Sequence, residues 1–368
     1  MASANPGFDT ICIVGPKQSG KTFLLKSWQV SFHTGVHGCE RFGVRRIQPI
    51  REEEAKDRGL TPVDWFAPPA RDPMMELEEH LRDRGETRMT ASEYFIIHRN
   101  AGDSGGKPLT VELIDAPGET LFPEGGSVDD AQKKLLIEGL NRASKVIFVL
   151  PMVQFGDNAR IMIQVRTLLA GLLGTTGSSR LRTLVLAFTH CERRFVSYGN
   201  RAFLRAADPH ELKRELEAHF DALPWAEDVR AFARAPGRRV ILSASGSLGF
   251  VAGNGSVNID PHRYLSLDPE AVERILGDTR GRERDLKRET LKHEEAYFGA
   301  DSDRSVEKRP FLSADPFLCA ILDRPSAYGI QLPGTGGDKD ASADSGGRFS
   351  RLLKWVKGET RKVIYTQD

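Results

Sequence analysis

The sequence has neither an excess of charge of one sign nor a long apolar run. Lys and Arg number 52 against 51 Asp and Glu, so the formal net charge is only +1. A balance this close to zero argues against a strongly basic, nucleic-acid-binding surface and against an acidic tail. No apolar run approaches the roughly 20 residues that a membrane-spanning helix needs. We therefore expect a globular protein that does not have nucleic acid as a partner.

Patterns typical of metal clusters and secreted proteins are also missing. No two of the cysteines form a C-x-x-C pair, and the nine histidines lack H-E-x-x-H spacing. Because these spacings are absent, we expect neither a zinc site nor a disulfide framework. The first strand-like run begins within ten residues of Met1, which leaves no room for a secretory signal. Together these features predict a cytoplasmic location.

Strand and helix patterns alternate through the first two thirds of the chain. Apolar runs predict strands at 8–14, 92–99, 109–115, 145–153, 181–189 and 239–243, and helices at 21–30, 127–143, 157–173 and 209–223. A Gly-rich turn between 99 and 109 predicts an antiparallel hairpin. This alternation favours a three-layer α/β fold, with a mostly parallel sheet, one antiparallel hairpin strand and helices on both faces.

The segment Gly15–Thr22 reads GPKQSGKT and matches G-x-x-x-x-G-K-[ST] between a predicted strand and a predicted helix. In this P-loop motif, backbone N–H groups and the positive end of the helix bind phosphates. Lys21 is predicted to reach the β- and γ-phosphates and to act in catalysis, and the Thr22 hydroxyl is predicted to bind Mg²⁺. The predicted nucleotide contacts of this segment are Gly15, Ser19, Gly20, Lys21, Thr22 and Phe23.

A second motif, Asp115-Ala116-Pro117-Gly118, ends another predicted strand. Taken alone it is an ordinary turn, since Asp, Pro and Gly all favour turns. After a P-loop, its carboxylate can hold Mg²⁺ through water. The Gly118 amide can contact a γ-phosphate, which would make this loop a nucleotide-dependent switch.

The order of P-loop, long variable segment, hairpin and D-x-x-G resembles that of the guanine-nucleotide-binding P-loop proteins of the translation-factor and small-GTPase (TRAFAC) class. Thr189-His190-Cys191-Glu192 stands where that class carries [NT]-K-x-D, and Ser243-Ala244-Ser245 stands where it carries S-A-[KLS]. The resemblance covers roughly residues 8–250. It implies that the chain binds GTP or GDP with Mg²⁺, and that Glu192 accepts hydrogen bonds from the base while the His190 ring stacks on it. The implied base contacts are Thr189, His190, Glu192, Ser243, Ala244 and Ser245.

The resemblance also suggests how hydrolysis would proceed. Glu119 follows the D-x-x-G motif, where small GTPases often carry a Gln that orients water. A carboxylate near the γ-phosphate repels it, so we expect slow hydrolysis. The threonine of the first switch, a ligand of Mg²⁺, is assigned to Thr90, with Thr87 as the alternative.

Composition and motifs together divide the chain into four predicted regions. Residues 1–250 would form the GTPase-like domain, with an insertion at 33–90 in the first switch. Residues 251–332 would form a charged helical extension, 333–349 a flexible linker and 350–368 a basic amphipathic tail. The tail would bind a partner, contact a membrane surface or pack on the domain.

The long first switch and the DAPGE sequence are similar to those of the bacterial double-GTPase group, in which case the second GTPase would be a separate chain. A protein effector or this second chain is therefore the expected protein partner. The sequence predicts a Mg²⁺-dependent guanine-nucleotide switch. The alternatives are a nucleotide-binding scaffold without hydrolysis and an ATP-using phosphotransferase, whose lid the Arg-rich insertion would supply.

Overall fold

A computed structural model describes residues 8–16, 19–21, 24–25, 28, 44–49, 91–99, 109–115, 139–140, 143–152, 181–251, 257, 280–281 and 308–334. The strands are β1 Phe8–Val14, β2 Val44–Pro49, β3 Ala91–Arg99, β4 Leu109–Asp115, β5 Lys145–Pro151, β6 Thr183–Thr189, β7 Arg239–Ala244, β8 Gly246–Val251, β9 Lys308–Phe311 and β10 Ile330–Gln331. The helices with described bounds are a 3₁₀ helix Cys191–Arg201, α1 Ala202–Ala206, α2 Pro209–Asp221, α3 Ala226–Arg234 and α4 Asp315–Leu322.

Eight of these strands form one sheet in the order β10-β7-β6-β5-β1-β4-β3-β2. Strands β4, β1, β5, β6 and β7 run parallel to one another. Strand β3 pairs antiparallel with β4 in the predicted hairpin, β2 pairs antiparallel with β3, and β10 pairs antiparallel with β7. Strands β5 and β6 are buried along their whole length, as expected for central parallel strands covered on both faces.

The core has one hydrophobic cluster on each face of the sheet. On one face, alternate residues of β5 such as Phe148 pack with Leu216 of α2 and Val229 of α3. On the other face, Ile147 packs with Phe317 of α4 and with the helix that follows the P-loop. The predicted three-layer α/β arrangement, with helices on both faces of a mostly parallel sheet, is therefore confirmed.

Helix α4 joins the C-terminal part of the chain to this sheet. The Phe317 ring stacks on Trp28 of the P-loop helix, with ring centroids 3.9 Å apart. Just beyond the other end of α4, Asp323 lies 3.0 Å from the buried Lys145 ammonium, which also contacts Asp9 at 2.5 Å. Within the predicted extension at 251–332, α4 and β10 thus lie on the same sheet as β1 and β5.

Several predicted elements have close to the expected bounds, and others are new. The predicted limits of β1 and β4 and the predicted hairpin are confirmed. Strand β2 lies in the segment that the sequence analysis treated as an irregular insertion, and β10 adds a second edge strand that runs antiparallel. The predicted helix at 157–173 and the region 335–368 lie outside the described residues. Within the described ranges, no helix is both long and apolar enough to cross a membrane.

Candidate functional site

The predicted motifs meet at one edge of the sheet. Because β1, β4, β6 and β7 are parallel, the segments that follow their carboxyl ends lie near one another. Asp115 ends β4 opposite Ile13 in β1, and Ala244 ends β7 opposite Phe188 in β6. The P-loop follows β1 directly, and Thr189 ends β6.

The backbone of the P-loop is closely packed. A Cβ on Gly15 would lie 2.5 Å from the Val149 carbonyl oxygen and 2.8 Å from Ser19 Oγ, so only glycine fits there. Gly20 has a φ of 84°, in the left-handed region that favours glycine. The Leu24 N–H donates to the Gly20 carbonyl at 2.8 Å, near the start of the helix that carries Lys21.

Lys21 folds back over the loop that it follows. Its ammonium donates to the Gly15 carbonyl at 2.9 Å and to the Pro16 carbonyl at 3.3 Å, and the side chain is buried. These neutral carbonyls are weaker partners than phosphate oxygens, because a phosphate adds the attraction between opposite charges. The ammonium is thus held at the loop, where an anion can compete for it.

Ser19 provides a test of whether a phosphate suits this loop. Its hydroxyl is buried and has no hydrogen-bond partner in the part of the chain that the structure describes. Buried hydroxyls are normally hydrogen-bonded, and Ser19 stands two residues before Lys21, at the start of a helix. A phosphate oxygen would give it an acceptor, so the loop fits an anionic phosphate chain.

Thr189 links the base motif to the P-loop. Its hydroxyl lies 2.8 Å from the Ser19 carbonyl oxygen and 3.2 Å from the Leu150 carbonyl oxygen, and the residue is fully buried. A Cβ on Gly20 would lie 3.2 Å from Thr189 Oγ1 and 3.3 Å from His190 Nε2. The loop after β6 therefore braces the P-loop from the side.

Backbone hydrogen bonds join the loops after β6 and β7. The Cys191 N–H donates to the Ser245 carbonyl at 3.2 Å, and the Ser245 N–H donates to the Phe188 carbonyl at 2.9 Å. The hydroxyls of Ser243 and Ser245 are buried without a hydrogen-bond partner among the described residues. The structure thus brings the predicted Ser-Ala-Ser segment next to the Thr-His-Cys-Glu segment.

Glu192 follows Cys191 directly and is 0% exposed. A Cβ on Gly246 would lie 2.5 Å from Glu192 Oε2 and 3.5 Å from Phe311 Cβ. Burial, and next the nearby Glu192 carboxylate, raise the pKa of the Cys191 thiol well above its usual range. Cys191 is therefore an inert, protonated thiol at neutral pH.

Some of the predicted site residues lie outside the described residues. For Asp115 the structure describes the backbone, which places it at the carboxyl end of β4 beside β1. The predicted residues outside the described ranges are Thr22, Phe23, Thr90, Gly118 and Glu119.

Sequence reasoning missed Gly246 and Phe311 as neighbours of the site. The glycine directly after Ser-Ala-Ser was a visible signal, because glycine often marks close approach of the backbone to another group. Phe311 gave no such signal, since it lies 65 residues further along the chain and reaches the site through the β8–β9 ribbon. Its position depends on long-range strand pairing.

The chain has distant likenesses among solved structures, of which two are described below. No protein-family model matches the chain, and no curated protein matches it. The signal recognition particle receptor SRb-GTP/SRX complex from Chaetomium thermophilum matches 68% of this chain and 94% of its own at 15% identity, with a TM-score of 0.33. The S. cerevisiae Ski7 GTPase-like domain, solved bound to GTP, matches 66% of this chain and 43% of its own at 13% identity, with a TM-score of 0.32. Because these scores are low, the fold assignment comes from this chain's own strand order and P-loop geometry.

Proposed function

We propose that the chain is a Mg²⁺-dependent, guanine-nucleotide-binding switch protein that hydrolyses GTP slowly and signals to a protein partner. The main supporting observation is the hydrogen bond from the Thr189 hydroxyl to the Ser19 carbonyl. A P-loop alone serves ATP and GTP alike. Here, the loop after β6 holds the P-loop on one side and bonds to the Ser243–Ser245 loop on the other. Such an arrangement suits recognition of a base next to a bound phosphate chain.

The phosphate chain would lie along the P-loop. Lys21 would exchange its two carbonyl acceptors for phosphate oxygens, and Ser19 Oγ would donate to a third oxygen. The side chains proposed to hold Mg²⁺ are Thr22, Asp115 and Thr90. When bound, the ion would neutralise part of the charge on the phosphates.

The proposed switch lies in the loop after β4. Asp115 ends a strand that is paired directly with β1, so a movement after Asp115 would begin close to the P-loop. Gly118 would contact the γ-phosphate, and Glu119 would face the attacking water, where its charge accounts for slow hydrolysis. A protein effector or a second GTPase chain in the cytoplasm would bind one conformation of this loop and not the other.

The proposal is tested by titrating the wild type and Lys21→Ala with GTP and GDP, with and without EDTA. We expect the wild type to bind GTP with Mg²⁺ and Lys21→Ala to lose at least about a hundredfold in affinity, since it lacks the charge that pairs with the phosphates. Lys213→Ala on α2 is the matched control. Retained affinity in Lys21→Ala would contradict the proposal.

Phosphate release measured at high protein concentration separates the switch from a scaffold. We expect release that is slow and is lost with EDTA. Tight GTP binding without any release would favour a nucleotide-binding scaffold.

A further inference from the structure

Four arginines lie together at the amino ends of the parallel strands, at the opposite end of the sheet from the P-loop. Arg182 directly precedes β6, and Arg238 precedes β7, which begins at Arg239. The Arg239 N–H donates to the Arg182 carbonyl at 2.7 Å, so the two strand starts are neighbours. Arg324 follows α4, and the Arg239 guanidinium donates to the carbonyl of the adjacent Asp323. These four arginines are called the arginine cluster below.

The carboxylates next to the cluster already have a cation of their own. Asp9 and Asp323 lie 2.5 Å and 3.0 Å from the buried Lys145 ammonium. The Ser144 hydroxyl also donates to Asp9 at 2.8 Å, and the Thr183 hydroxyl donates to Asp323 at 2.6 Å. Because Lys145 shares these two carboxylates, they do not offset the four arginines. In the part of the chain that the structure describes, this end of the sheet therefore has a local excess of positive charge.

The arginine side chains reach the surface. Arg182 and Arg324 are exposed, and Arg238 and Arg239 are half-buried. The Arg238 guanidinium lies 5.1 Å from the centre of the Phe232 ring of α3, a contact that holds its charge at the surface. Guanidinium groups bind phosphate through paired N–H donors and are weakly hydrated, so they suit phosphate-rich surfaces.

The chain leaves the described C-terminal segment beside this cluster. Strand β10 runs antiparallel to β7, and the Leu332 N–H donates to the Val240 carbonyl at 3.0 Å. A Cβ on Gly334 would lie 3.4 Å from the Ala233 carbonyl oxygen at the end of α3. Further along the chain, the sequence of 350–368 begins SRLLKWVK and combines apolar with basic residues. A predicted basic amphipathic segment is thus tethered next to a basic surface.

These two features together favour a lipid surface over other anionic partners. Binding of an amphipathic segment to a membrane increases with the apolar area that it inserts and with its attraction to anionic lipids. Each Lys or Arg near an anionic lipid surface strengthens binding by about fivefold. An acidic protein would be attracted by the arginines, but it would not account for Leu352, Leu353 and Trp355 among the basic residues of the tail.

We propose that the arginine cluster is a membrane-facing surface that binds anionic lipid headgroups, and that the tail at 350–368 binds the same membrane. The nucleotide motifs follow the carboxyl ends of the same parallel strands, so the P-loop points away from the bilayer in this orientation. Nucleotide and a protein partner then reach the P-loop from solvent. This attachment does not depend on which nucleotide the P-loop binds.

Co-sedimentation of the full chain with vesicles tests this surface. The vesicles contain phosphatidylcholine alone or a mixture of phosphatidylcholine and phosphatidylserine. We expect binding to the mixed vesicles, and at least about tenfold weaker binding for the double variant Arg182→Ala with Arg324→Ala, since each arginine contributes about fivefold. The matched control is Arg201→Ala with Arg205→Ala, which removes two exposed arginines from the segment after the carboxyl end of β6 and should bind as the wild type does.

A second variant tests the tail separately. Leu353→Glu with Trp355→Glu leaves the arginine cluster intact and should also weaken binding to the mixed vesicles by at least about tenfold, because it replaces apolar side chains with charges. Equal binding of the wild type to both kinds of vesicle, or equal binding by the cluster variant and its control, would overturn the proposal.

Soluble polyglutamate distinguishes a lipid surface from an acidic protein. We expect it to displace the full chain from the mixed vesicles only weakly, because it offers no apolar layer for the tail. If polyglutamate binds as tightly as the vesicles do, and the tail variant binds both as the wild type does, then the cluster is a docking surface for an acidic protein and the membrane proposal is rejected.

Discussion

The Thr189 hydroxyl lies 2.8 Å from the Ser19 carbonyl oxygen and ties the end of β6 to the P-loop. Both residues are buried, so this hydrogen bond has no water to replace it. Removal of the hydroxyl would leave a carbonyl of the P-loop without its donor, which typically costs about 1–3 kcal/mol. The P-loop would then be free to shift relative to the base motif.

Thr189→Val should therefore lower both stability and affinity. We expect the free energy of unfolding to fall by about 1–2 kcal/mol and GTP affinity to fall by roughly tenfold. Denaturant unfolding and nucleotide titration measure the two effects. Thr189→Ser retains the hydroxyl and should bind GTP nearly as the wild type does. Equal GTP affinity for the Val and Ser variants would contradict the role of this bond.

Alanine substitutions at Gly20 and Gly237 distinguish the effect of a steric contact from that of backbone strain. Gly20→Ala places a methyl group 3.2 Å from Thr189 Oγ1 at a φ of 84°, whereas Gly237→Ala has strain at a φ of 70° and no close neighbour. We expect each variant to lose about 1–2 kcal/mol of stability from the left-handed backbone. Only Gly20→Ala should lose nucleotide affinity, by about tenfold or more. Equal nucleotide affinity in the two variants would mean that the fit at Gly20 is unimportant.

The buried ammonium of Lys145 should matter more than an exposed ion pair. It lies between Asp9 at 2.5 Å and Asp323 at 3.0 Å, and it also donates to the Ile321 carbonyl at the end of α4. Lys145→Met leaves two carboxylates without their cation, and we expect a loss of about 3 kcal/mol in the free energy of unfolding. The control Arg194→Met removes an exposed pair with Glu215 and should cost less than about 1 kcal/mol. Similar losses in the two variants would refute this account of how α4 is held.

His219 should make stability depend on pH. Burial, and then the nearby charge of Arg194, lower the pKa of His219 from 6.5 to about 4, against the opposing effect of the Pro151 carbonyl. The unfolded chain takes up this proton near pH 6.5 and the folded chain only near pH 4. The contribution is therefore fully present above pH 6.5 and is lost as the pH falls to about 4, by roughly 3 kcal/mol.

The check is the denaturant midpoint of the wild type and of His219→Gln between pH 7 and pH 4. The variant should have a shallower fall in stability than the wild type over this range. The exposed residue His210 provides the control His210→Gln, which should follow the wild type. A slope that His219→Gln leaves unchanged would assign the pH dependence to other groups.

The sequence predicted the central sheet well because its signals are local. The apolar runs of β5 and β6 are continuous, and the P-loop sequence follows β1 without a gap. Strand β2, with the sequence VRRIQP, has neither alternation nor a continuous apolar run, and it is a strand because β3 pairs with it. Its edge position explains why a polar segment ending in proline is tolerated.

The parts of the site that sequence reasoning missed depend on contacts between distant segments. Glu192 was expected to contact a base, and neither its full burial nor the close approach of Gly246 to its carboxylate was predicted. No local pattern in the sequence of α4 indicates that Phe317 stacks on Trp28 of the P-loop helix. Contacts of this kind depend on the tertiary fold, whereas a motif such as the P-loop can be recognised from a short stretch of sequence.

Competition between GTP and ATP for a fluorescent GDP analogue on the full chain with Mg²⁺ tests the central claim most directly. We expect GTP to displace the analogue at a concentration at least about tenfold lower than ATP does, because the loops after β6 and β7 are proposed to recognise the base while the P-loop treats both triphosphates alike. Displacement by ATP at equal or lower concentration than by GTP would contradict it.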